Sequence, residues 1–233
     1  MSTAEFASPD KGHIREFFDS VAGRYDLLNS ILSFNLDECW RRRSRDLILE
    51  GTEKRILDLG VGTGKYLKGF LDAQSWQCAV GLDFSEKMLS RARANLPSFA
   101  RFVSADFHDL PFAGESFDLV VSSFALRSVK DMGLFLKEVY RILALGGKAA
   151  FLCLTRPRNI LMKAVYYPYL KFYLPCMGQL ISGHDKAYRF LSESIQSFQN
   201  PEVTAGMMRE AGFTSLKTVS LTLGAATLIL GSK

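Results

Sequence analysis

Cysteine, histidine and proline are scarce in this chain of 233 residues, at four, three and seven. The cysteines, Cys39, Cys78, Cys153 and Cys176, stand far apart with no CxxC pair and no Cys/His spacing. Neither a metal site nor a disulfide framework is signalled, and a reducing, cytoplasmic setting is the expectation. No stretch approaches the ~20 apolar residues of a spanning helix. The opening MSTAEFASPDKGHIREFF lacks the apolar core of a signal peptide. There is no repeat and no low-complexity tract. A basic tail is missing too: Lys plus Arg is 29 against 24 Asp plus Glu, and the net charge of +5 is spread thinly. Nucleic acid is therefore not an expected partner, while an anionic membrane surface is compatible with the charge. What the chain does have is apolar material, 48% of its residues against 23% charged, enough to bury a core in one large domain.

From Arg55 onward short apolar runs alternate with amphipathic ones, the pattern of a parallel sheet covered by helices. Ile56–Leu59 reads as a strand that enters the turn Gly60-Val-Gly62-Thr-Gly64 and then a helix with Tyr66, Leu67, Phe70 and Leu71. Ala79–Leu82 is a second strand ending at Asp83, followed by a helix that Ser85 caps and that carries Met88, Leu89 and Ala92. Arg101–Val103 leads to Asp106, and Phe117–Ser123 is a fourth strand. A helix through Leu134, Phe135, Val139 and Leu143 is expected to stop at Gly146-Gly147, before a fifth strand over Ala149–Leu154. Val203–Ala211 is read as helix, with Ser215–Leu221 and Ala225–Leu230 as an antiparallel hairpin. Residues 1–50 form a helical cap, 51–155 the core, 156–200 a helical insert over the site and 201–233 the closing helix and hairpin, all in one domain.

Glycines at 60, 62 and 64 permit a tight turn and close approach of a ligand to the backbone. The turn is not a P-loop, because Gly64-Lys65 is followed by Tyr66 and five residues before Gly64 stands Leu59. A dinucleotide fingerprint would need glycine at 65, where Lys stands, so that reading is a weak competitor. Three aspartates point elsewhere. Asp83 can accept hydrogen bonds from both hydroxyls of a ribose; Asp106 can accept from an adenine amino group, with Phe84 or Phe107 flanking the ring. Asp58, just before the turn, discourages a diphosphate and suits a ligand carrying an ammonium group. Each alone is as easily a helix cap or strand end. Their joint placement after three successive strands favours an adenosine bearing a cationic amino acid.

Asp58-Leu-Gly-Val-Gly-Thr-Gly64, Asp83, Asp106-Phe-His-Asp-Leu-Pro-Phe112, Phe117–Ser123 and Leu143–Gly147 resemble the successive motifs of class I S-adenosylmethionine-dependent methyltransferases. Phe18–Asn29, Ser33, Trp40-Arg41, Phe124–Asp131, Tyr188–Ile195 and Leu221–Gly224 resemble, more narrowly, the ubiquinone/menaquinone biosynthesis C-methyltransferases, so the likeness covers almost the whole chain. Two departures stand out. Ala125-Leu-Arg-Ser128 replaces the usual Gly-Leu-Arg-Asn, and Ser33-Phe-Asn-Leu-Asp37 replaces a frequent Ser-x-Gly-x-His. The resemblance implies a Rossmann-like, mostly parallel seven-stranded sheet with helices on both faces and S-adenosylmethionine as cofactor. It extends the cofactor site to Thr63, Met88 and Ser123, and it places Tyr25 in a lid.

The implied reaction is methylation of a ring carbon of a prenylated quinol, in which Arg127 stabilises the developing phenolate. For Arg127 the plainer reading is a structural salt bridge, and for Tyr25 ordinary helix packing. His108 and His184 lie in polar turns and are read as solvated rather than as bases. The stretch Ile160–Ile181, rich in Tyr, Leu and Met, suits a polyprenyl tail as well as it suits packing on the sheet edge. Arg41, Arg42, Arg43 and Arg45 read first as a solvated helix face and second as lipid-phosphate contacts. A methyltransferase of a soluble small molecule and a non-catalytic S-adenosylmethionine-binding protein are the competing functions. Transient contact with a membrane surface and a homodimer complete the expectations.

Overall fold

The computed structural model describes residues 23, 25–157, 160–173 and 200–233. Among the described residues, two helices, α1 (Tyr25–Ser33) and α2 (Leu36–Ile48), precede the first strand. Then β1 (Arg55–Leu59), α3 (Lys65–Ala73), β2 (Cys78–Asp83), α4 (Glu86–Asn95), β3 (Arg101–Ser104) and β4 (Phe117–Ser123) alternate. A short 3-10 turn, Leu126–Ser128, leads to α5 (Met132–Ile142) and β5 (Leu143–Leu154). Next come α6 (Ile160–Pro168) with a π turn at Tyr169–Tyr173, α7 (Pro201–Glu210), β6 (Thr214–Leu221) and β7 (Ala226–Ser232). The sequence-level expectations that fall on residues 1–22 and 174–199, among them Phe18, Cys176, His184 and Tyr188–Ile195, lie outside the described residues.

The strands form one seven-stranded sheet in the order β3-β2-β1-β4-β5-β7-β6. The first five pair in parallel, and β7 runs antiparallel to both β5 and β6. The expected closing hairpin is therefore present, with its second strand placed inward. Parallel strands covered on both faces must be apolar on both, and β1 obeys this: Ile56, Leu57 and Leu59 are fully buried. Because side chains alternate along a strand, Leu57 and Leu59 join Phe135, Val139, Phe151 and Phe213 on one face. On the other, Ile56 packs with Leu67, Phe70, Leu89 and Leu119. A third cluster, Leu32, Trp40, Leu152, Tyr166, Leu221 and Ala226, ties the leading helices to α6 and the closing strands.

One boundary differs from the sequence reading. The helix ends at Ile142, not at the glycine pair, and Leu143 already pairs with Phe117 before the register jumps to Leu119 opposite Lys148. Gly146 and Gly147 thus lie in a bulge of β5. A Cβ at Gly147 would lie 2.9 Å from the Ala144 carbonyl and 3.1 Å from that of Asp118, so the bulge needs glycine there. The reversal of strand order between β1 and β4 leaves a crevice beyond their carboxyl ends, where a parallel sheet of this kind binds ligands. Among the described residues no helix is long and apolar enough to cross a membrane.

Candidate active site

Two adjoining spaces open in that crevice. The first is a narrow groove of about 40 Å³ bounded by Gly60, Gly62, Asp83, Phe84, Met88, Phe107 and Ser123, with Tyr25, Phe124, Ala125 and Ser128. All three glycines of the turn have positive φ, 76°, 54° and 91°, a conformation side chains resist. Gly62 donates its backbone N–H to Asp83 Oδ2 at 2.9 Å, and Ser85 donates to Asp83 Oδ1 at 3.0 Å. The carboxylate at the end of β2 therefore fixes the turn as well as facing the groove.

Not every expected residue reaches it. Gly64 serves packing instead: a Cβ there would lie 2.7 Å from Leu96 Cδ1. Thr63 turns its hydroxyl to the leading helix, donating to Asp26 Oδ1 at 2.7 Å, and its carbonyl accepts from Asn95 Nδ2. Asp106 holds His108, whose Nδ1 lies 2.5 Å from Asp106 Oδ1. Gly60 does face the groove, yet a Cβ there would meet Ala125 Cβ at 2.6 Å and Phe107 Cζ at 3.3 Å.

Asp58 lies beneath the turn with only 1% of its surface exposed. Neither carboxylate oxygen completes a hydrogen bond among the described residues. Burial pushes its carboxyl up to about 8; the Asp83 carboxylate adds to this, while the Arg41 guanidinium and the Leu67 backbone oppose it. A buried acid left without donors is costly unless a ligand or water supplies them. An ammonium group is such a donor, so Asp58 and Asp83 fit the amino-acid and ribose parts of S-adenosylmethionine.

The second space is a cavity of about 420 Å³ bounded by α1, α2, α6, the π turn and the closing strands. Aromatic rings dominate it: Tyr25, Phe34, Trp40, Phe124, Tyr166, Tyr169 and Tyr173. Phe34, Tyr169 and Tyr173 stack, the Phe34 and Tyr173 rings being 5.1 Å apart and the two tyrosines 5.5 Å apart. Tyr169 donates its hydroxyl proton to the Leu32 carbonyl. Trp40 donates its indole N–H to Thr222 Oγ1 at 2.8 Å, joining α2 to the end of β6. Tyr25 and Phe124 bound both spaces. The two compartments therefore share a wall, and Arg127 lies on the cavity side of it. Burial lowers the Arg127 pKa from its ordinary value, with Tyr25 and Cys153 opposing the shift. Among the described residues no salt bridge involves Arg127, contrary to the plainer expectation.

The arginine run divides. Arg41 is buried and donates to Asp37 Oδ2 at 2.5 Å, its guanidinium 5.1 Å from the Phe124 ring centre, whereas Arg42 and Arg43 are exposed. Arg45 pairs with Asp46 and donates to the Gly69 carbonyl. Treating the run as one solvated face missed Arg41, whose spacing from Asp37 and Trp40 puts it on the inward side of α2. Asp37 also accepts from the Ser33 hydroxyl at 2.7 Å. Asn35, at the position where the related motif has glycine, holds φ 61°, a left-handed conformation that asparagine tolerates. Of the cavity's other contributors, Asn29 belongs to the opening motif, whereas Leu154 and Ala225 were read only as strand ends.

The model of the ubiE/COQ5 methyltransferase family matches residues 7–233. The chain is 41% identical over 219 residues, 93% of its length and 99% of the relative's, to the demethylmenaquinone methyltransferase of Thermus thermophilus. It is 39% identical over 235 residues, 98% of this chain and all of the relative, to the ubiquinone/menaquinone biosynthesis C-methyltransferase UbiE of Geotalea uraniireducens. Among solved structures, an S-adenosylmethionine-dependent methyltransferase from Thermotoga maritima superposes with a TM-score of 0.65 at 19% identity, covering 95% of this chain and 100% of that one. The match to the family runs through both compartments and both flanking regions, and the chain belongs to the ubiE/COQ5 methyltransferase family as an S-adenosylmethionine-dependent methyltransferase.

Proposed function

We propose that this protein methylates a ring carbon of a prenylated quinol in menaquinone or ubiquinone biosynthesis, the aromatic cavity holding the ring beside the cofactor groove. The observation that carries the reading is the wall the two spaces share, Tyr25 and Phe124, with Arg127 on the cavity side. When bound, S-adenosylmethionine supplies an electrophilic methyl group on a sulfonium. The chain's part is to place and activate the nucleophile. Asp83 and Asp58 hold the ribose and the ammonium group, and Phe84 or Phe107 flanks the adenine, with Asp106, outside the groove lining but next to Phe107 in the chain, accepting from its amino group. In the cavity, Arg127 stays protonated despite burial and stabilises the phenolate left when a quinol hydroxyl loses its proton. That negative charge, left when water takes the hydroxyl proton, enriches the adjacent ring carbon, which becomes the nucleophile; once it bears the methyl group, that carbon gives its own proton to water and the ring regains aromaticity. Tyr25 closes the shared wall against water.

The cavity favours a flat ring over a small aliphatic or strongly charged molecule, because its rings offer stacking faces. Around it, Phe34 and Leu36 are exposed while also bounding the cavity, and Phe172 and Leu223 are exposed beside the cavity residues Tyr173 and Thr222. Lys171 lies 5.5 Å from the Phe172 ring centre. This apolar rim with a cation supports transient contact with an anionic membrane surface, from which a tailed quinol would enter. The leading helices, the segment around α6 and the closing strands act together as coverings of one methyltransferase domain. Incubation with labelled S-adenosylmethionine and a panel of reduced, demethylated benzoquinols and naphthoquinols tests the proposal. Label on the quinol ring carbon is expected, and label on none of the panel would overturn the substrate assignment.

A further inference from the structure

The loop that carries Arg127 is anchored at both ends. At its start Phe124 donates its backbone N–H to the Leu152 carbonyl at 2.7 Å. At its end stands Asp131, which caps α5 by accepting from the Leu134 N–H at 2.9 Å. The backbone N–H of Asp131 donates to His108 Nε2 at 3.1 Å. Because Nε2 accepts, the imidazole proton resides on Nδ1, which donates to Asp106 Oδ1. The His108 backbone N–H donates to the same oxygen at 2.9 Å. A single neutral imidazole thus bridges the Asp106 carboxylate, two residues beyond β3, and the last residue of the Arg127 loop. With both ring nitrogens engaged, His108 is unsuited to act as a base.

The neighbours stiffen this bridge. Phe107 is buried and packs on Phe135 of α5 with ring centres 5.8 Å apart, and Leu126 is buried one residue before Arg127. The loop passes over the groove: Ala125 and Ser128 bound it, Arg127 bounds the cavity, and Asp131 returns to His108. We propose that His108 is a positioning residue that links cofactor recognition at Asp106 to the placement of Arg127 in the cavity. The link rests on the cofactor and quinol placements proposed above. Fixing the Asp106 carboxylate also orients the imidazole, and the imidazole holds the far end of the Arg127 loop.

Two substitutions cut the bridge on opposite sides. In His108→Asn the amide nitrogen takes the place of Nδ1 and keeps the Asp106 bond, but the side chain is too short for Asp131. In His108→Gln the amide oxygen takes the place of Nε2 and can accept from Asp131, while the Asp106 bond is lost. The expected outcome is a split. His108→Asn keeps the affinity for S-adenosylhomocysteine and lowers kcat about fivefold; His108→Gln weakens that affinity about fivefold and keeps kcat at saturating cofactor, each the size of one net hydrogen bond. Amide exchange supplies a readout that needs no turnover. S-adenosylhomocysteine is expected to slow exchange of the Asp131 amide in the wild-type protein, and this protection is expected to vanish in both variants. Identical changes in both variants, no change in either, or ligand protection of Asp131 that survives both would overturn the proposal. If the wild-type protein methylates no quinol of the panel, the substrate reading fails, and the binding and exchange measurements still decide the role of His108.

Discussion

The groove and the cavity are built by different means. The groove is made of a backbone turn and the ends of successive strands, closed by Tyr25 and the Phe124–Ser128 loop, its acids buried or engaged with backbone N–H groups. The cavity is ten times larger, about 420 against 40 Å³. It is assembled from side chains between Tyr25 and Ala225, on helices and strands far apart in the chain. The cofactor side therefore depends on backbone conformation and charge, and the substrate side on packing between distant elements. Changes in one should leave the other's signature untouched unless they fall on the shared wall or the loop beside it.

The sharpest break in that comparison is Arg127→Ala. Removing the cation facing the cavity is expected to lower kcat about 100-fold, while affinity for S-adenosylhomocysteine, measured by calorimetry, stays within about twofold. A comparable loss of cofactor affinity would contradict the separation of roles. Next in size is Asp37→Ala, which leaves Arg41 buried without its partner and is expected to destabilise the fold by about 3 kcal/mol, read in urea denaturation.

Asp58→Asn separates the two sides by pH. An unfolded aspartate titrates near 3.8, and the buried Asp58 near 8. Between those values the folded protein therefore holds a proton that the unfolded chain has released, and ligand-free stability falls as pH rises through this window. The asparagine variant is expected to flatten that fall in thermal melts from pH 5 to 8.5, yet to bind S-adenosylhomocysteine about tenfold more weakly. An unchanged pH slope would show that Asp58 is not carrying the buried proton. The smallest expected effect is Trp40→Phe, which deletes the hydrogen bond to Thr222. It should cost about 1 kcal/mol of stability and raise KM for a tailed quinol with little change in cofactor affinity.

Legibility in the sequence follows the same division. The strands and the glycine turn could be read because hydrophobic alternation and turn chemistry are local. Within the motif, the Thr63 hydroxyl turns to Asp26 and Gly64 lies against Leu96, contacts that the local pattern does not carry. The end of α5 was misplaced because a glycine pair marks a bulge as readily as a helix stop. Arg127 was legible only through the resemblance, and the cavity was barely legible. Asp37 and Arg41 are separated by one helical turn, but the ring on which Arg41 packs, Phe124, comes from the loop after β4. No local pattern carries that information.

The central claim is that the aromatic cavity presents a quinol ring to the cofactor groove, with Arg127 as the activating cation. Single-turnover transfer of labelled methyl from S-adenosylmethionine to a reduced, demethylated prenylnaphthoquinol, by the wild-type protein and by Arg127→Ala, tests it most directly. The expected result is label on the ring carbon at a rate about 100-fold lower in the variant. Transfer at equal rates by the two proteins, or label on an oxygen instead of the ring carbon, would contradict the account.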